Sequence, residues 1–291
     1  MAQPVFRFAP SPNGRLHLGH AYSALLNAAF ARRMAGRLLL RIEDIDPVRS
    51  RPDLIAAIEE DLAWLGLRFD GPVHRQSERL SVHRNAVTGL AARGLAYPCF
   101  CSRSAVAAHG AAEAEAAGRP VRRDPDGSPL YPGECRRLPP AEVAARMRAG
   151  LAHAWRLDMA RALDAVPNPH AILAFDAAGI AAPIAADPAR WGDAVIGRRD
   201  IATSYHLAVV LDDAAQGVTH VVRGSDLLAA TDLHVLLQKL LGCASPAYHH
   251  HALVRDAQGE KLAKSKGSES LADLRAAGIA PAEIRARLGF P

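Results

Sequence analysis

Apolar runs separated by polar turns give the first hundred residues a regular alternation of strand and helix patterns. Leu54, Ile58 and Leu62 recur at the spacing of one helical face, whereas short apolar runs closed by turn residues are typical of buried strands. This order predicts a doubly wound α/β fold, in which helices cover a parallel sheet. The predicted elements are strands at 4–9 and 37–43 and helices at 17–35, 51–66 and 78–93.

The pattern changes after Tyr97. Residues 103–118 are rich in alanine, and residues 119–135 are rich in proline, glycine, aspartate and arginine. Such a stretch interrupts the alternation and offers few apolar side chains for a core. We therefore predict an inserted, loop-rich subdomain that splits the parallel sheet and ends near residue 190.

Strand and helix patterns return after the insertion, and the chain closes with two short helical segments. The predicted strands are 193–199, 205–211 and 218–223, the helix is 226–241, and the closing segments are 268–277 and 281–288. We expect two halves of one domain around an insertion, followed by a loop and a helical end. The predicted boundaries are 1–96, 97–190, 191–248 and 249–291.

Composition narrows the class of protein. Of the 291 residues 49% are hydrophobic and 22% are charged, which is typical of a globular chain. No apolar run reaches the roughly 18 residues of a membrane span, and the first residues do not form a secretion signal. We therefore expect a cytoplasmic protein without a membrane partner.

The use of lysine is unusual. The chain has 35 lysines and arginines, but only four are lysines, and Lys261, Lys264 and Lys266 lie within six residues. An ammonium is a mobile point charge that can follow a phosphate, whereas a guanidinium is a rigid fork. The cluster therefore predicts a phosphate-binding loop, and the alternative is an ordinary solvated run of charges.

Cysteine spacing predicts a metal site. Cys99, Cys101 and Cys135 fall in one segment and provide three soft ligands, whereas Cys243 stands apart. A structural zinc site needs a fourth ligand, and histidine would be the ordinary choice among the candidates His109, Asp124, Glu134 and Tyr131. The alternative is three reduced thiols packed in a small core.

The first predicted strand runs through a turn at residues 10–14 into a helix, which is the layout that binds phosphates in doubly wound folds. No glycine-rich dinucleotide or P-loop fingerprint is present. Instead, His17 and His20 lie on one helical face, and Gly19 between them allows a ligand to approach the backbone. Taken alone, this pair favours a capping or surface role; zinc binding is also open, but the motif contains no carboxylate to complete a hydrolase site.

Together these motifs resemble the signatures of class I aminoacyl-tRNA synthetases. His17-Leu-Gly-His20 is similar to the first signature and Lys261-Leu-Ala-Lys-Ser265 to the second. The resemblance to the glutamate-specific branch covers nearly the whole chain. The blocks that carry it are RFAPSPNGRLHLGH from Arg7, RIEDID from Arg41, YHLAVVLDD from Tyr205 and VVRGSD from Val221.

The resemblance implies an ATP-dependent ligase. His17, Gly19 and His20 would contact ATP and steady its triphosphate, and Lys264 with Lys261 would hold the departing pyrophosphate. Mg²⁺ would accompany ATP. Because consecutive strand residues face opposite ways, the histidines at 249–251 do not converge on one ion, and we expect His250 near the nucleotide.

A glutamate pocket needs a carboxylate for the ammonium and cations for two carboxylates. Glu43 can take the α-ammonium, and Arg7 and Arg223, each near a strand end, can hold carboxylates. The Tyr205 side chain would contribute a hydroxyl and form one side of the pocket. The resemblance implies the same roles, with Ala9 and Ser11 lining the pocket; the alternative is a set of ordinary ion pairs at strand ends.

The resemblance also bears on the zinc ligand and on the acceptor. It points to Tyr131 as the fourth ligand beside the three cysteines. Only 26 residues follow Ser265, below the roughly 40 that fold unaided, so the chain resembles short paralogues without an anticodon-binding part. Those paralogues activate glutamate without tRNA and transfer it to queuosine in the anticodon of tRNA(Asp).

Two other readings stay open at this point. The chain could be a catalytic fragment that charges the 3′ end of tRNA(Glu). It could also be a non-catalytic, zinc-containing RNA-binding protein.

Overall fold

The computed structural model describes residues 3–166, 168–255 and 269–291. Lys261 and Lys264 of the predicted phosphate-binding loop lie outside these residues. None of the helices in the described part of the chain is long and apolar enough to cross a bilayer.

The strands of the described residues are short, and the longest has six residues. They are β1 (Val5–Phe8), β2 (Arg37–Ile42), β3 (His74–Arg75), β4 (Ala96–Cys99), β5 (Ala154–Leu157), β6 (Ala171–Phe175), β7 (Ala181–Ala185), β8 (Val195–Gly197), β9 (His220–Gly224) and β10 (Ala247–His251).

The helices lie between these strands and at the end of the chain. They are α1 (Leu18–Arg33), α2 (Pro52–Trp64), α3 (Leu80–Ala92), α4 (Arg103–Ala116), α5 (Pro140–Arg148), α6 (Met159–Ala165), α7 (Tyr205–Ala215), α8 (Leu228–Leu241), α9 (Leu271–Ala276) and α10 (Pro281–Arg287).

A seven-stranded sheet forms the centre of the fold, in the order β3-β2-β1-β9-β10-β6-β7. All of its pairings are parallel except the antiparallel hairpin of β6 and β7 at one edge. Because β1 lies between β2 and β9, the first and second halves of the chain meet in mid-sheet. The predicted α/β class with a parallel sheet is therefore confirmed, with one antiparallel edge.

A second, antiparallel sheet of three strands joins β4, β5 and β8. In two places, strands pair across the predicted segment boundaries. The hairpin β6–β7 precedes residue 190 but pairs with β10 in the main sheet, and β8 follows residue 190 but pairs with β5. The division into four segments remains a prediction.

One predicted strand was wrong, and one segment of the insertion is more regular than a loop-rich subdomain suggests. Residues 205–211, an apolar run with two consecutive valines, form the start of helix α7 rather than a strand. Ser204 caps this helix by accepting from the Leu207 backbone N–H, and burial on most sides gives the helix a strand-like composition. The alanine-rich stretch after Ser102 is not a loop, because α4 occupies it and Ser102 caps that helix too.

The C-terminal helices pack beside the first predicted signature. Leu271 and Ile284 are buried in one cluster with Leu16 and Ile58. The Leu271 backbone N–H donates to the Leu16 carbonyl over 2.8 Å, and Ser270 forms an isolated bridge with His17. The closing segment therefore supports the turn that precedes α1.

Candidate active site

A cavity of about 510 Å³ opens at the carboxyl ends of β1, β2 and β9, where ligands bind in doubly wound sheets. The structure brings nine of the predicted site residues together around this one cavity. They are Arg7, Ala9, Ser11, His17, Gly19, His20, Glu43, Tyr205 and Arg223.

The two histidines of the first motif form a reciprocal cap at the start of α1. His17 is the N-cap, and its Nδ1 accepts from the Gly19 backbone N–H over 3.1 Å. The His17 backbone N–H donates to His20 Nδ1 over 3.2 Å, and the ring centroids lie 3.8 Å apart. Capping and cavity lining are therefore compatible roles, since both imidazoles also face the cavity.

Gly19 makes this arrangement possible. A Cβ at residue 19 would lie 3.0 Å from His17 Cε1, which is tighter than ordinary packing. The missing side chain lets the His17 ring fold over the first turn of a 16-residue helix. The positive end of the helix dipole therefore points into the cavity beside two imidazoles.

Carboxylates hold the charged groups on the Arg7 side of the cavity. Asp213 accepts from Arg7 Nε over 3.0 Å and forms an ion pair with Arg41, whose Nη2 lies 2.7 Å away. Arg41 is completely buried and also lies 3.5 Å from Glu43 Oε1. Two guanidiniums and two carboxylates thus form one connected network, in which the charges balance when Glu43 is ionised.

The two carboxylates of this network differ in acidity. Burial raises the pKa of Glu43, and the nearby Arg41 and Arg7 only partly offset that effect. Burial also disfavours ionised Asp213, but the same two guanidiniums outweigh it and hold the pKa of Asp213 below its usual range. Glu43 is therefore the carboxylate of the network whose ionised form the protein stabilises less, and the cation of a ligand would stabilise that form further.

Neutral groups hold the other arginine of the cavity. Arg223 Nη2 lies 2.7 Å from Thr231 Oγ1 and 3.3 Å from His234 Nδ1. Arg223 Nη1 donates to Tyr205 Oη over 3.4 Å, and Nε donates to His250 Nε2 over 3.4 Å. The guanidinium is buried, yet it forms no ion pair within the described part of the chain.

The three histidines of β10 separate as the strand pattern predicts. His249 Nδ1 lies 2.9 Å from the Phe175 carbonyl, His250 contacts Arg223 and Thr231, and His251 lines the cavity. His250 lies behind Arg223, in the layer between β10 and α8. The cavity-facing histidine is therefore His251, one residue further along the strand than expected.

Sequence reasoning missed the residues that support the cavity from behind. Asp213 lies in α7, just beyond the run predicted as a strand, and His234 lies in α8, inside the helix predicted at 226–241. Only their contacts with Arg7 and Arg223 connect them with the site. One signal was available in the sequence: polar side chains inside apolar runs are buried only when they have partners.

The three cysteines of the insertion also lie together. The sulfurs of Cys99, Cys101 and Cys135 are all within 4.8 Å of one another, and those of Cys101 and Cys135 are 3.5 Å apart. The Tyr131 hydroxyl lies 3.5 Å from Cys101 Sγ and accepts from the Cys135 backbone N–H over 2.7 Å. His109, Asp124 and Glu134 do not join this group in the described residues.

These separations fit a tetrahedral metal centre. Four ligands at the Zn–S distance of about 2.3 Å would be about 3.8 Å from one another. The distances of 3.5 Å from Cys101 Sγ to Cys135 Sγ and to the Tyr131 hydroxyl are near that value. Cys243 lies elsewhere and takes no part in the group.

Comparison with known proteins decides the family. The model for "tRNA synthetases class I (E and Q), catalytic domain" matches residues 5–289. The chain belongs to this family. It is therefore an ATP-dependent ligase of the class I synthetase type, and its fold is the catalytic domain of that class.

Relatives and solved structures agree with this membership. A "Glutamyl-Q tRNA(Asp) synthetase" of Rhodobacter capsulatus is 47% identical over 98% of this chain and 100% of that protein. "Glutamate--tRNA ligase 2" of Nitrosococcus oceani is 40% identical over 97% of this chain but only 58% of its own length. The glutamate-tRNA synthetase structure from Elizabethkingia anophelis matches with a TM-score of 0.70 and 29% identity, over 91% of this chain and 53% of that one.

Proposed function

We propose that the chain activates L-glutamate with ATP to glutamyl-adenylate without tRNA, and then transfers glutamate to queuosine in the anticodon of tRNA(Asp). The observation that carries the proposal is the single cavity, lined by an acidic group, two arginines and two histidines at the start of α1. Relatives that align over nearly their whole length and carry the name "Glutamyl-Q tRNA(Asp) synthetase" support the choice of acceptor.

Activation joins the α-carboxylate of glutamate to the α-phosphorus of ATP. A carboxylate oxygen attacks the phosphorus, the bond to the bridging oxygen breaks in line, and pyrophosphate leaves. Such a transfer depends on positioning and charge stabilisation rather than on covalent catalysis. In this proposal His17 and His20 steady the phosphates at the positive end of α1, and Lys264 with Lys261 holds the pyrophosphate. Mg²⁺ enters with ATP.

The pocket orients glutamate through its three charges. Glu43 accepts hydrogen bonds from the α-ammonium, which stabilises the ionised form that burial disfavours. Arg7 on β1 and Arg223 on the neighbouring strand β9 both line the cavity and hold the two carboxylates, and the Tyr205 side chain lines it beside Arg223. Ala9 and Ser11 line the same cavity and leave room for the substrate.

We infer a structural zinc ion in the insertion, with Cys99, Cys101, Cys135 and Tyr131 as its ligands. The sulfur and hydroxyl separations support this choice, and the Phe100 backbone N–H donates to Cys135 Sγ over 3.3 Å, as expected beside a thiolate. Zinc would tie the loop after α4 to the end of β4, where few apolar side chains are available. It takes no part in the chemical steps.

One observation favours a second acceptor. "Glutamate--tRNA ligase 2" of Nitrosococcus oceani shares 40% identity with the chain, so the cavity alone does not separate the 3′ end of tRNA(Glu) from a modified base. In both reactions the acceptor hydroxyl attacks the carbonyl of the adenylate, and AMP leaves. The difference lies in which RNA hydroxyl reaches that carbonyl.

Transfer of labelled glutamate to matched tRNAs tests the proposal. We expect labelling of tRNA(Asp) that contains queuosine. The matched control is the same tRNA(Asp) from cells that cannot make queuosine, which should remain unlabelled, as should tRNA(Glu). Labelling of tRNA(Glu) but not of tRNA(Asp) would establish the second acceptor. Absence of glutamate-dependent ATP–pyrophosphate exchange would leave the non-catalytic RNA-binding reading.

A further inference from the structure

The partners of Arg223 differ in kind from those of Arg7. Arg7 has an ionic partner inside the protein, because it pairs with Asp213, a carboxylate that it shares with Arg41. Arg223 is equally buried, but its side-chain contacts are the hydroxyls of Thr231 and Tyr205 and two imidazoles. Within the described residues Arg223 has no ion-pair partner, so its positive charge can pair with an anionic group of a ligand in the cavity.

The hydrogen bonds of Arg223 fix the state of both imidazoles. A guanidinium can only donate, so the nitrogens that face it must accept. His234 Nδ1 is therefore unprotonated, and the hydrogen on its Nε2 points to His206 Nδ1, 3.2 Å away. His250 accepts through Nε2, which is also 2.9 Å from Thr231 Oγ1.

The surroundings keep these imidazoles neutral. Burial and, to a lesser extent, the nearby Arg223 lower the pKa of His250 to about 3 and that of His206 to about 4. The same two causes lower the pKa of His234 well below its ordinary value of 6.5. Near neutral pH the layer behind Arg223 therefore carries no charge of its own.

The fold places both imidazoles on the same side of the sheet as the guanidinium. His250 is the register partner of Arg223 on the neighbouring parallel strand, so the two side chains point to the same face. His234 and Thr231 lie one turn apart on α8, which covers that face. Strand and helix together hold the guanidinium from two directions.

We propose that His234 and His250 are positioning residues that fix Arg223 without neutralising it, and that they thereby set the preference of the pocket for a carboxylate over an amide. The proposal rests on the proposed binding of glutamate. A buried cation without a counter-charge is unfavourable, and the side-chain carboxylate of glutamate relieves that cost. Glutamine has the same shape but leaves the charge unpaired, so the pocket rejects it.

A matched pair of variants at His234 separates the effect of a negative charge beside Arg223 from the effect of a changed side-chain shape. Asparagine in H234N places an amide oxygen near the position of Nδ1 and keeps a neutral acceptor. Aspartate in H234D has the same shape but supplies a negative charge. We expect H234N to keep glutamate selectivity with a few-fold rise in KM. We expect H234D to lower the ratio of glutamate to glutamine kcat/KM by about 10–100-fold, because Arg223 would already be paired.

ATP–pyrophosphate exchange with each amino acid measures that ratio, and thermal unfolding checks that both variants fold. If H234D does not fold, H250Q and H250E provide the same comparison at a half-buried position. Equal selectivity in the neutral and charged members of a folded pair would overturn the inference and leave the proposed function intact. A wild-type protein with no glutamate-dependent exchange would overturn both.

Discussion

The cavity and the cysteine cluster are both dense groups of reactive side chains, but they are built in opposite ways. The cavity groups sit at the ends of paired strands and point into about 510 Å³ of open space. The cysteine sulfurs and the Tyr131 hydroxyl point at one another, with neighbours 3.5 Å apart. The first arrangement suits a substrate that binds and dissociates, and the second suits a permanently bound ion.

The difference extends to what supports each group. Sheet register positions Arg7 and Arg223 on paired parallel strands, and Glu43 directly follows another strand of the same sheet. The segment from Arg119 to Glu134 contains no helix or extended strand, only an isolated bridge between Arg123 and Pro129. We therefore expect substitutions in the cavity to change catalysis, and substitutions in the cluster to change stability.

The largest effect should follow loss of the ammonium that meets the pyrophosphate. We expect Lys264→Ala to reduce kcat for exchange by about 10²–10³-fold with a much smaller change in glutamate affinity, since the contact forms in the transition state. Lys239→Ala is a matched control, because that exposed lysine donates to the Pro169 carbonyl far from the cavity. Equal losses in kcat and glutamate affinity for Lys264→Ala would contradict the assigned role.

Glu43→Gln should raise KM for glutamate by about 10–100-fold, because the α-ammonium loses a charged acceptor. The same change should raise the melting temperature. The raised pKa means that ionised Glu43 costs stability as pH rises past its ordinary value of 4.5, and glutamine removes that cost.

Steady-state kinetics and thermal unfolding measure the two effects, with Glu59→Gln on the exposed face of α2 as the control. An unchanged KM for Glu43→Gln would remove Glu43 from the pocket.

Substitutions in the cysteine cluster should lower stability more than they lower catalytic activity. We expect about one zinc per chain by metal analysis, and Cys135→Ser should lower both the zinc content and the unfolding temperature. Glutamate-dependent exchange should fall less than about tenfold, since the cavity is held by the main sheet. Cys243→Ser, outside the cluster, is the matched control. A metal-free wild type with full activity and stability would refute the zinc site.

The smallest effect concerns pH. Only the ionised form of Glu43 pairs with the ammonium. Because its pKa is raised above the ordinary value of 4.5, Glu43 becomes protonated at a higher pH than a free glutamate side chain does. KM for glutamate should therefore rise on acidification, by up to about tenfold per unit below that pKa, because a protonated carboxyl no longer pairs with the ammonium. The Glu43→Gln variant should show a flatter profile. Identical profiles for the two proteins would assign the titration to another group.

The cavity could be predicted from the sequence because its residues lie in short, continuous blocks at strand ends. Arg7 lies in the first predicted strand, Glu43 ends the second, and His17 begins the helix after the first turn; parallel strand ends meet at one edge of the sheet. The three cysteines were likewise predicted as a group, and the structure brings them together.

The supporting layer could not be predicted in the same way. Asp213 and His234 act through contacts that span 206 and 11 residues of sequence, and both lie in helices with mostly apolar surroundings. The run at 205–211 was read as a strand because a helix buried on most sides loses its polar face. Placing Tyr205 on the first turn of α7 is what brings its hydroxyl to Arg223.

Glutamate-dependent ATP–pyrophosphate exchange without tRNA tests the central claim most directly. We predict exchange with L-glutamate and ATP alone, at least 100-fold weaker exchange with L-glutamine, and no stimulation by tRNA(Glu). Exchange that requires tRNA(Glu), or that proceeds equally with glutamine, would contradict this account of the cavity.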